Sequence, residues 1–368
     1  MPYFAPKLHS SMLKMALDIE QLLTHFEISG AIGNIQGFGS GHINDTFKIT
    51  NASPGEPDYL LQRINHKVFP HVGPMMDNIL RVTEHLKKKE NPEYHSMTIV
   101  PTRTGDLFIR DDNGSYWRVY IFLEKLVSYD VVETSEQIYE GGKAFGTFLR
   151  DLSDFPAETL FPTLPNFHHV PMRVRNLERA VKDDKAGRVL QANHLIRFAL
   201  EVADEMCRIQ ALGDQHQLPL RVTHNDTKFN NVMLDRNGKG RCVIDLDTVM
   251  PGYVHFDFGD AVRTSVSSAP EDETDLEKIQ VDLDRFEAFA RGYLEPSRDI
   301  LSPLELEYLP LSGAMLAYIM GIRFLTDFLM GDVYYKIHSP EHNLQRATAQ
   351  LDLTQKILNR IPDLKRMI

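Results

Sequence analysis

Cysteine is nearly absent: the 368-residue chain has two, Cys207 and Cys242. Neither stands in a metal-ligand spacing, and two isolated thiols build no disulfide framework, which suits a reducing compartment. Basic residues are outnumbered, with 40 Lys and Arg against 51 Asp and Glu and a net charge of −11. Both signs are mixed along the chain, so the basic patch or stripe of a nucleic-acid binder is missing. No run of about 18 apolar residues offers a membrane span. Residues Met1 to Asp18 lack the basic-then-apolar pattern of a signal peptide. There is no internal repeat and no low-complexity tract. The expectation is a cytoplasmic protein with no nucleic-acid partner, no membrane partner and no obligate protein partner.

What is present is ordinary for a globular chain: 42% hydrophobic and 25% charged residues. The length fits one bilobal enzyme or two domains. The first third alternates short strand-like runs with turns. Met12 to Phe26 has helical spacing of apolar residues. Ala31 to Gln36 and Asn44 to Thr50 read as strands around a glycine-rich turn, and Asn51 to Pro57 as a turn cluster. Tyr59 to Ile64 reads as a strand and Met75 to Lys88 as a helix. Thr98 to Val100, Leu107 to Arg110 and Trp117 to Phe122 complete a small antiparallel sheet. After a hinge at Phe122 to Lys125, helices dominate: Glu136 to Leu152, Met172 to Ala180, His194 to Leu212, Leu283 to Tyr293, Pro303 to Leu329 and Asn343 to Ile361. A strand-rich island, Arg221 to Val249, interrupts them.

That island carries the chemistry. His224-Asn225-Asp226-Thr227-Lys228-Phe229-Asn230-Asn231 leads into an apolar strand, and Ile244-Asp245-Leu246-Asp247 follows. Phosphoryl transfer needs such a set: one carboxylate to accept a hydroxyl proton, and an amide oxygen with a second carboxylate to hold magnesium on the phosphates. Asp226 is the candidate base, and Asn231 and Asp245 are the candidate metal ligands. In the first third, Gly37-Phe38-Gly39-Ser40-Gly41 lies between two strands, where glycines let backbone amides approach phosphates.

The pattern His-x-Asp-x4-Asn followed by an Ile-Asp strand resembles the catalytic loop and metal-binding aspartate of protein kinases. It is closer to the aminoglycoside phosphotransferase and choline kinase branch, where the second Asp stands in an Ile-Asp context. The resemblance implies an α+β, bilobal, protein-kinase-like (aminoglycoside phosphotransferase-like) fold. Residues 1–123 would form a β-rich N-lobe for nucleotide binding, and residues 124–368 a mainly helical C-lobe. It further implies ATP and Mg2+ as cofactors. Gly39, Ser40 and Gly41 would serve the phosphates, Phe122 and Glu124 of the hinge would present backbone groups to adenine, and Ile244 would cover the ring. Lys228, two residues after the base, would touch the transferring phosphate. Asp257 in Asp257-Phe258-Gly259 mimics the protein-kinase metal motif, but the resemblance gives it a structural role bracing the catalytic loop. His224 is likewise structural by resemblance. One departure stands out: the third strand, Tyr59-Leu60-Leu61-Gln62-Arg63-Ile64, has no lysine, leaving Gln62 or Arg63 as the phosphate anchor.

Dispersed runs narrow the resemblance to N-acetylhexosamine 1-kinases: Gly41-His42-Ile43-Asn44, Trp117-Arg118-Val119-Tyr120, Arg221 to Asn231, Ile244 to Thr248, Gly321 to Leu325 and Gly331 to Tyr334. Such enzymes phosphorylate the anomeric hydroxyl of N-acetylglucosamine or N-acetylgalactosamine. By that resemblance His42, Asp226, Asp245, Asp247, Arg323 and Tyr334 line a sugar site. The bland alternatives are a solvent-exposed His42, an Arg323–Asp327 ion pair, and simple packing of Tyr334 on Tyr335. Rival functions are a kinase for another small alcohol (aminoglycoside, choline, homoserine or methylthioribose) and a nucleotide-binding pseudokinase.

Overall fold

The computed structural model describes residues 19–39, 43–267 and 269–368. Ser40, Gly41 and His42 of the expected sites lie outside these residues, as does the 12–18 part of the first expected helix. The chain divides into two compact units, Met1–Leu126 and Val127–Ile368.

In the first unit residues 19–23 are helical. The expected helix therefore stops three residues short of Phe26, which instead bridges to Thr102 in β fashion. A six-stranded antiparallel sheet follows: β1 (Ile32–Gly37), β2 (Asp45–Asn51), β3 (Tyr59–Ile64), then helix α1 (Val72–Lys88), β4 (Ile99–Val100), β5 (Ile109–Arg110) and β6 (Tyr116–Ile121). Its order is β1-β2-β3-β6-β4, with β5 also paired to β6. The strand expected over Leu107 to Arg110 shortens to its last two residues. Alternation puts Tyr59 and Leu61 of β3 on one buried face, where Leu61 pairs with the buried Val119, while Ile64 at the end of the strand is buried on the other side. In α1, Val72, Met75, Met76, Ile79, Val82 and Leu86 are buried, a spacing of three and four residues that puts them on one stripe.

The second unit begins with α2 (Ser135–Asp151), closed at its start by a Thr134–Gln137 capping box. Helix α3 (Val170–Asp183) follows. The single helix expected over His194 to Leu212 is three pieces, α4 (Asn193–Glu201), α5 (Ala203–Met206) and α6 (Arg208–Asp214), broken at Val202 and Cys207. The island holds two small antiparallel ribbons. β7 (Arg221–Thr223) pairs with β10 (Met250–Gly252), and β8 (Val232–Leu234) pairs with β9 (Gly240–Val243). Helices α7 (Val254–Ser265), α8 (Leu283–Ser297), α9 (Pro303–Met330) and α10 (His342–Met367) complete the unit.

Helix α9 starts on a Ser302–Glu305 capping box with Pro303 in its first turn, and ends at Gly331 with φ 92°, a left-handed stop that glycine accepts. Its length and apolar content would suffice to cross a membrane, but 83% of its most apolar 18-residue window is buried inside the protein. It is the central core helix, packed by α3, α7 and α10.

Candidate active site

The loop between β7 and β8 is pinned by groups that leave its backbone little freedom. The Asp257 carboxylate accepts the N–H groups of His224 (2.8 Å) and Asn225 (2.7 Å). Asp260, one helical turn on, accepts the Thr227 N–H at 3.0 Å, and the Thr227 hydroxyl donates to the Asp257 carbonyl at 2.6 Å. Burial pushes the Asp257 carboxyl up to about 6, against the opposing pull of His224 and the two backbone bonds. Asp260 is also buried, yet Arg263 at 2.8 Å, with Lys228, holds its carboxyl below the ordinary value. Asn225 has φ 67° and its side chain donates to Thr223 O and Thr248 O. A non-glycine residue in this region costs about 1–3 kcal/mol and survives only where neighbours over-determine it.

The same contacts gather the residues singled out by sequence. Asp226 projects from the braced loop, with Lys228 Nζ 2.9 Å from its Oδ1. Lys228 is held above the ordinary lysine value: desolvation lowers it, but the attraction of Asp226 and Asp260 outweighs that. Asn231 Nδ2 donates to the Asp226 carbonyl at 2.8 Å. This bond fixes which end of the amide is nitrogen, so Oδ1 is the end turned from that carbonyl. The Asn231 carbonyl in turn accepts the Ile244 N–H at 2.9 Å, and His224 Nε2 meets the Ile244 carbonyl at 2.8 Å. Asp245 follows directly, in a left-handed conformation with φ 59° and ψ 61°. Asp247 sits buried in the next turn, Leu246–Thr248. That turn is tied back by the Thr248 hydroxyl donating to the His224 carbonyl at 2.6 Å. Asp226, Lys228, Asn231, Ile244, Asp245 and Asp247 therefore share one neighbourhood.

A cavity of about 240 Å³ in this unit is lined by Arg323, Tyr334, Tyr335 and Asp327, together with Arg173. It adjoins the loop through Phe167 and His168. The Arg323 guanidinium lies 5.6 Å from the Phe167 ring, and His168 Nε2 is 3.3 Å from the Asn225 carbonyl. The Arg323–Asp327 ion pair does not form. Asp327 is occupied by the N–H groups of Val333, Tyr334 and Tyr335 at 2.8–3.0 Å and by Asn343 Nδ2. Tyr334 stacks edge-on against Tyr335 and is 74% exposed.

In the first unit, Gly39 has φ 81°, and a Cβ there would meet nothing within 4 Å. Gln62 accepts from Arg118 Nε at 3.0 Å and donates to Thr46 at 3.1 Å. Arg118 is the cross-strand partner of Gln62 on β6, buried beside Met76 and the Tyr120 ring. Arg63 points the other way and pairs with Asp45 at the surface. Phe122 commits its N–H to the Asp58 carbonyl at 2.8 Å and packs edge-on against Phe38. Glu124 is exposed.

Asp260, Arg118 and Arg173 were not singled out by sequence. The i, i+3 spacing of Asp260 from Asp257 becomes a signal only once helix α7 is known.

Residues 34–294 match the profile of the phosphotransferase enzyme family. The chain belongs to that family. Solved structures agree with this phosphotransferase assignment at the level of fold. An aminoglycoside phosphotransferase from Alicyclobacillus acidocaldarius superposes with TM-score 0.61 at 10% identity, covering 95% of this chain and 96% of that one. An amicoumacin kinase in complex with AMP-PNP and Ca2+ gives 0.57 at 12%, covering 93% of each. A choline kinase of Streptococcus pneumoniae gives 0.52 at 11%, covering 94% and 99%. The fold is thus the aminoglycoside phosphotransferase-like kinase fold, with a sheet-rich first unit and a helical second one.

Proposed function

We propose that this phosphotransferase is an ATP-dependent sugar kinase that phosphorylates the anomeric hydroxyl of N-acetylhexosamines to the sugar 1-phosphate. The observation that carries this reading is the lining of the cavity beside the catalytic loop. It holds two arginines, and its acid, Asp327, is consumed by backbone N–H groups. A pocket for a choline, aminoglycoside or other cationic alcohol needs free carboxylates or aromatic faces open to a cation. This cavity does have aromatic residues, Tyr334 and Tyr335, but the guanidinium of Arg323 lies over the Tyr335 ring and the two arginines repel a cation, so it suits an oxygen-rich acceptor that carries no positive charge.

On this reading Asp226 orients the 1-hydroxyl and accepts its proton as the oxygen attacks the γ-phosphorus. The new O–P bond forms while the bond to the leaving ADP breaks, in line. Lys228 balances charge on the loop. Asn231 and Asp245 offer hard oxygen donors of the kind magnesium takes, one amide and one carboxylate. When bound, magnesium neutralises charge on the β- and γ-phosphates. In the first unit the Gly39–Gly41 loop and Gln62 are assigned to phosphates, and the backbone at Phe122 and Glu124 to adenine. In the second, Ile244 covers the base, and Asp247, Arg323 and Tyr334, with His42 from the glycine loop, complete the sugar contacts.

Asp226→Asn keeps the size of the side chain and removes the proton acceptor. Turnover is expected to fall by roughly 10²–10⁴-fold, with the Kd for a non-hydrolysable ATP analogue within a few-fold of wild type. A variant with near wild-type turnover would remove Asp226 from the role of base.

A further inference from the structure

Two guanidinium groups face the cavity beside the catalytic loop. Arg323 comes from α9 and Arg173 from α3, 150 residues apart in sequence (323 − 173). Neither has a carboxylate partner among the described residues. Arg173 donates through Nη2 to the Phe167 carbonyl at 3.0 Å and, at 3.5 Å, to the Asn166 carbonyl. Its Nε is buried with no hydrogen-bond partner. Arg323 meets the Met320 sulfur at 3.5 Å and lies 5.6 Å from the rings of Phe167 and Tyr335. The Tyr335 hydroxyl, also part of the lining, is buried and unpartnered too. Desolvation, reinforced by the like charge of Arg323, pushes Arg173 down to about 10.

Holding two like charges together in a partly buried pocket is costly without an acceptor. A ligand atom that accepts from both would relieve the cost, and an sp² oxygen with two lone pairs matches donors converging from two directions. Resting on the sugar-kinase reading, we propose that Arg173 acts with Arg323 to take the carbonyl-type oxygen of a substituent on the acceptor sugar. The Arg173 guanidinium, part of the cavity lining, is the specificity-determining group. A hydroxyl at that point is a shorter-reaching acceptor than an acyl or carboxylate oxygen, and an ammonium, which accepts nothing, meets repulsion.

The test compares kcat/KM for N-acetylglucosamine, glucuronic acid, glucose and glucosamine, for wild type, Arg173→Gln and Arg173→Lys, with thermal melts to show that each is folded. Wild type is expected to favour an acyl- or carboxylate-bearing sugar over glucose and glucosamine. Whichever of the two is preferred identifies the source of the oxygen. Both Arg173 variants should lower that preference at least tenfold, chiefly through KM for the favoured sugar. If either variant fails to fold, Arg323→Lys, which replaces the other member of the pair, should lower the ratio in the same way. Folded variants with wild-type discrimination would overturn the role of the arginine pair while leaving the sugar-kinase reading in place. A wild-type enzyme inactive on all four sugars and on N-acetylgalactosamine would overturn both.

Discussion

Asp257 holds His224 by its main chain: the carboxylate accepts the His224 N–H at 2.8 Å while its other oxygen accepts the next N–H, from Asn225, at 2.7 Å. One side chain on α7 thus sets the course of the backbone immediately before Asp226.

Replacing Asp257 by Asn turns one acceptor into a donor that faces a buried N–H. An unsatisfied buried group costs about 1–3 kcal/mol. Asp257→Asn should therefore lower the urea midpoint by that equivalent and reduce kcat at least tenfold, since about 1.4 kcal/mol in loop placement is a factor of ten. Unchanged kcat in a destabilised variant would mean that Asp257 supports the fold but not the loop.

The pH dependence of stability follows from three buried groups. His168 and His255 are each pushed down to about 4, first by desolvation. The unfolded chain binds their protons near the ordinary value of about 6.5, so it gains protons first as the pH falls. From pH 7 to pH 5 this removes roughly 2 kcal/mol per histidine. Asp257, raised to about 6 by burial, acts oppositely. The folded state takes up its proton first, which adds about 1 kcal/mol over the same interval. The histidines win, and the urea midpoint should fall between pH 7 and pH 5. A flat or rising midpoint would show that these histidines are protonated in the fold.

Helices α2 and α8 approach closely through glycines. A methyl built on Gly146 runs into the backbone carbonyl of Tyr293, and one on Gly292 into that of Tyr139. Gly146→Ala forces the helices apart. Overpacking of this kind typically costs about 1–3 kcal/mol, more than the helix propensity that alanine gains. Thermal melts should show the loss, with KM for nucleotide close to wild type.

Local signals in the sequence reach some of this structure and not the rest. Helix α9 is legible because Ser302, Pro303 and a long apolar run announce its start, and Gly331 its end. The break of the expected His194–Leu212 helix is not legible, because neither Val202 nor Cys207 is a glycine or proline. Helix α7 escapes because it is buried almost all round, which erases the polar stripe that periodicity needs. The His224–Asn231 loop is legible because its residues are close in sequence and their spacing matches what phosphoryl transfer needs. Arg173 is not, since its meeting with Arg323 depends on the packing of α3 against α9. Gln62 reads as an oddity in sequence, and its bond to Arg118 becomes visible only through the β3–β6 register.

The most direct test of the central claim is phosphorus NMR of the product after incubation with ATP, magnesium and a panel of N-acetylglucosamine, N-acetylgalactosamine, galactose, choline and kanamycin. A sugar 1-phosphate resonance from the N-acetyl sugars, lost in Asp226→Asn, is the predicted result. Phosphate transfer only to choline or kanamycin, or to none of the five acceptors, would contradict the N-acetylhexosamine kinase assignment.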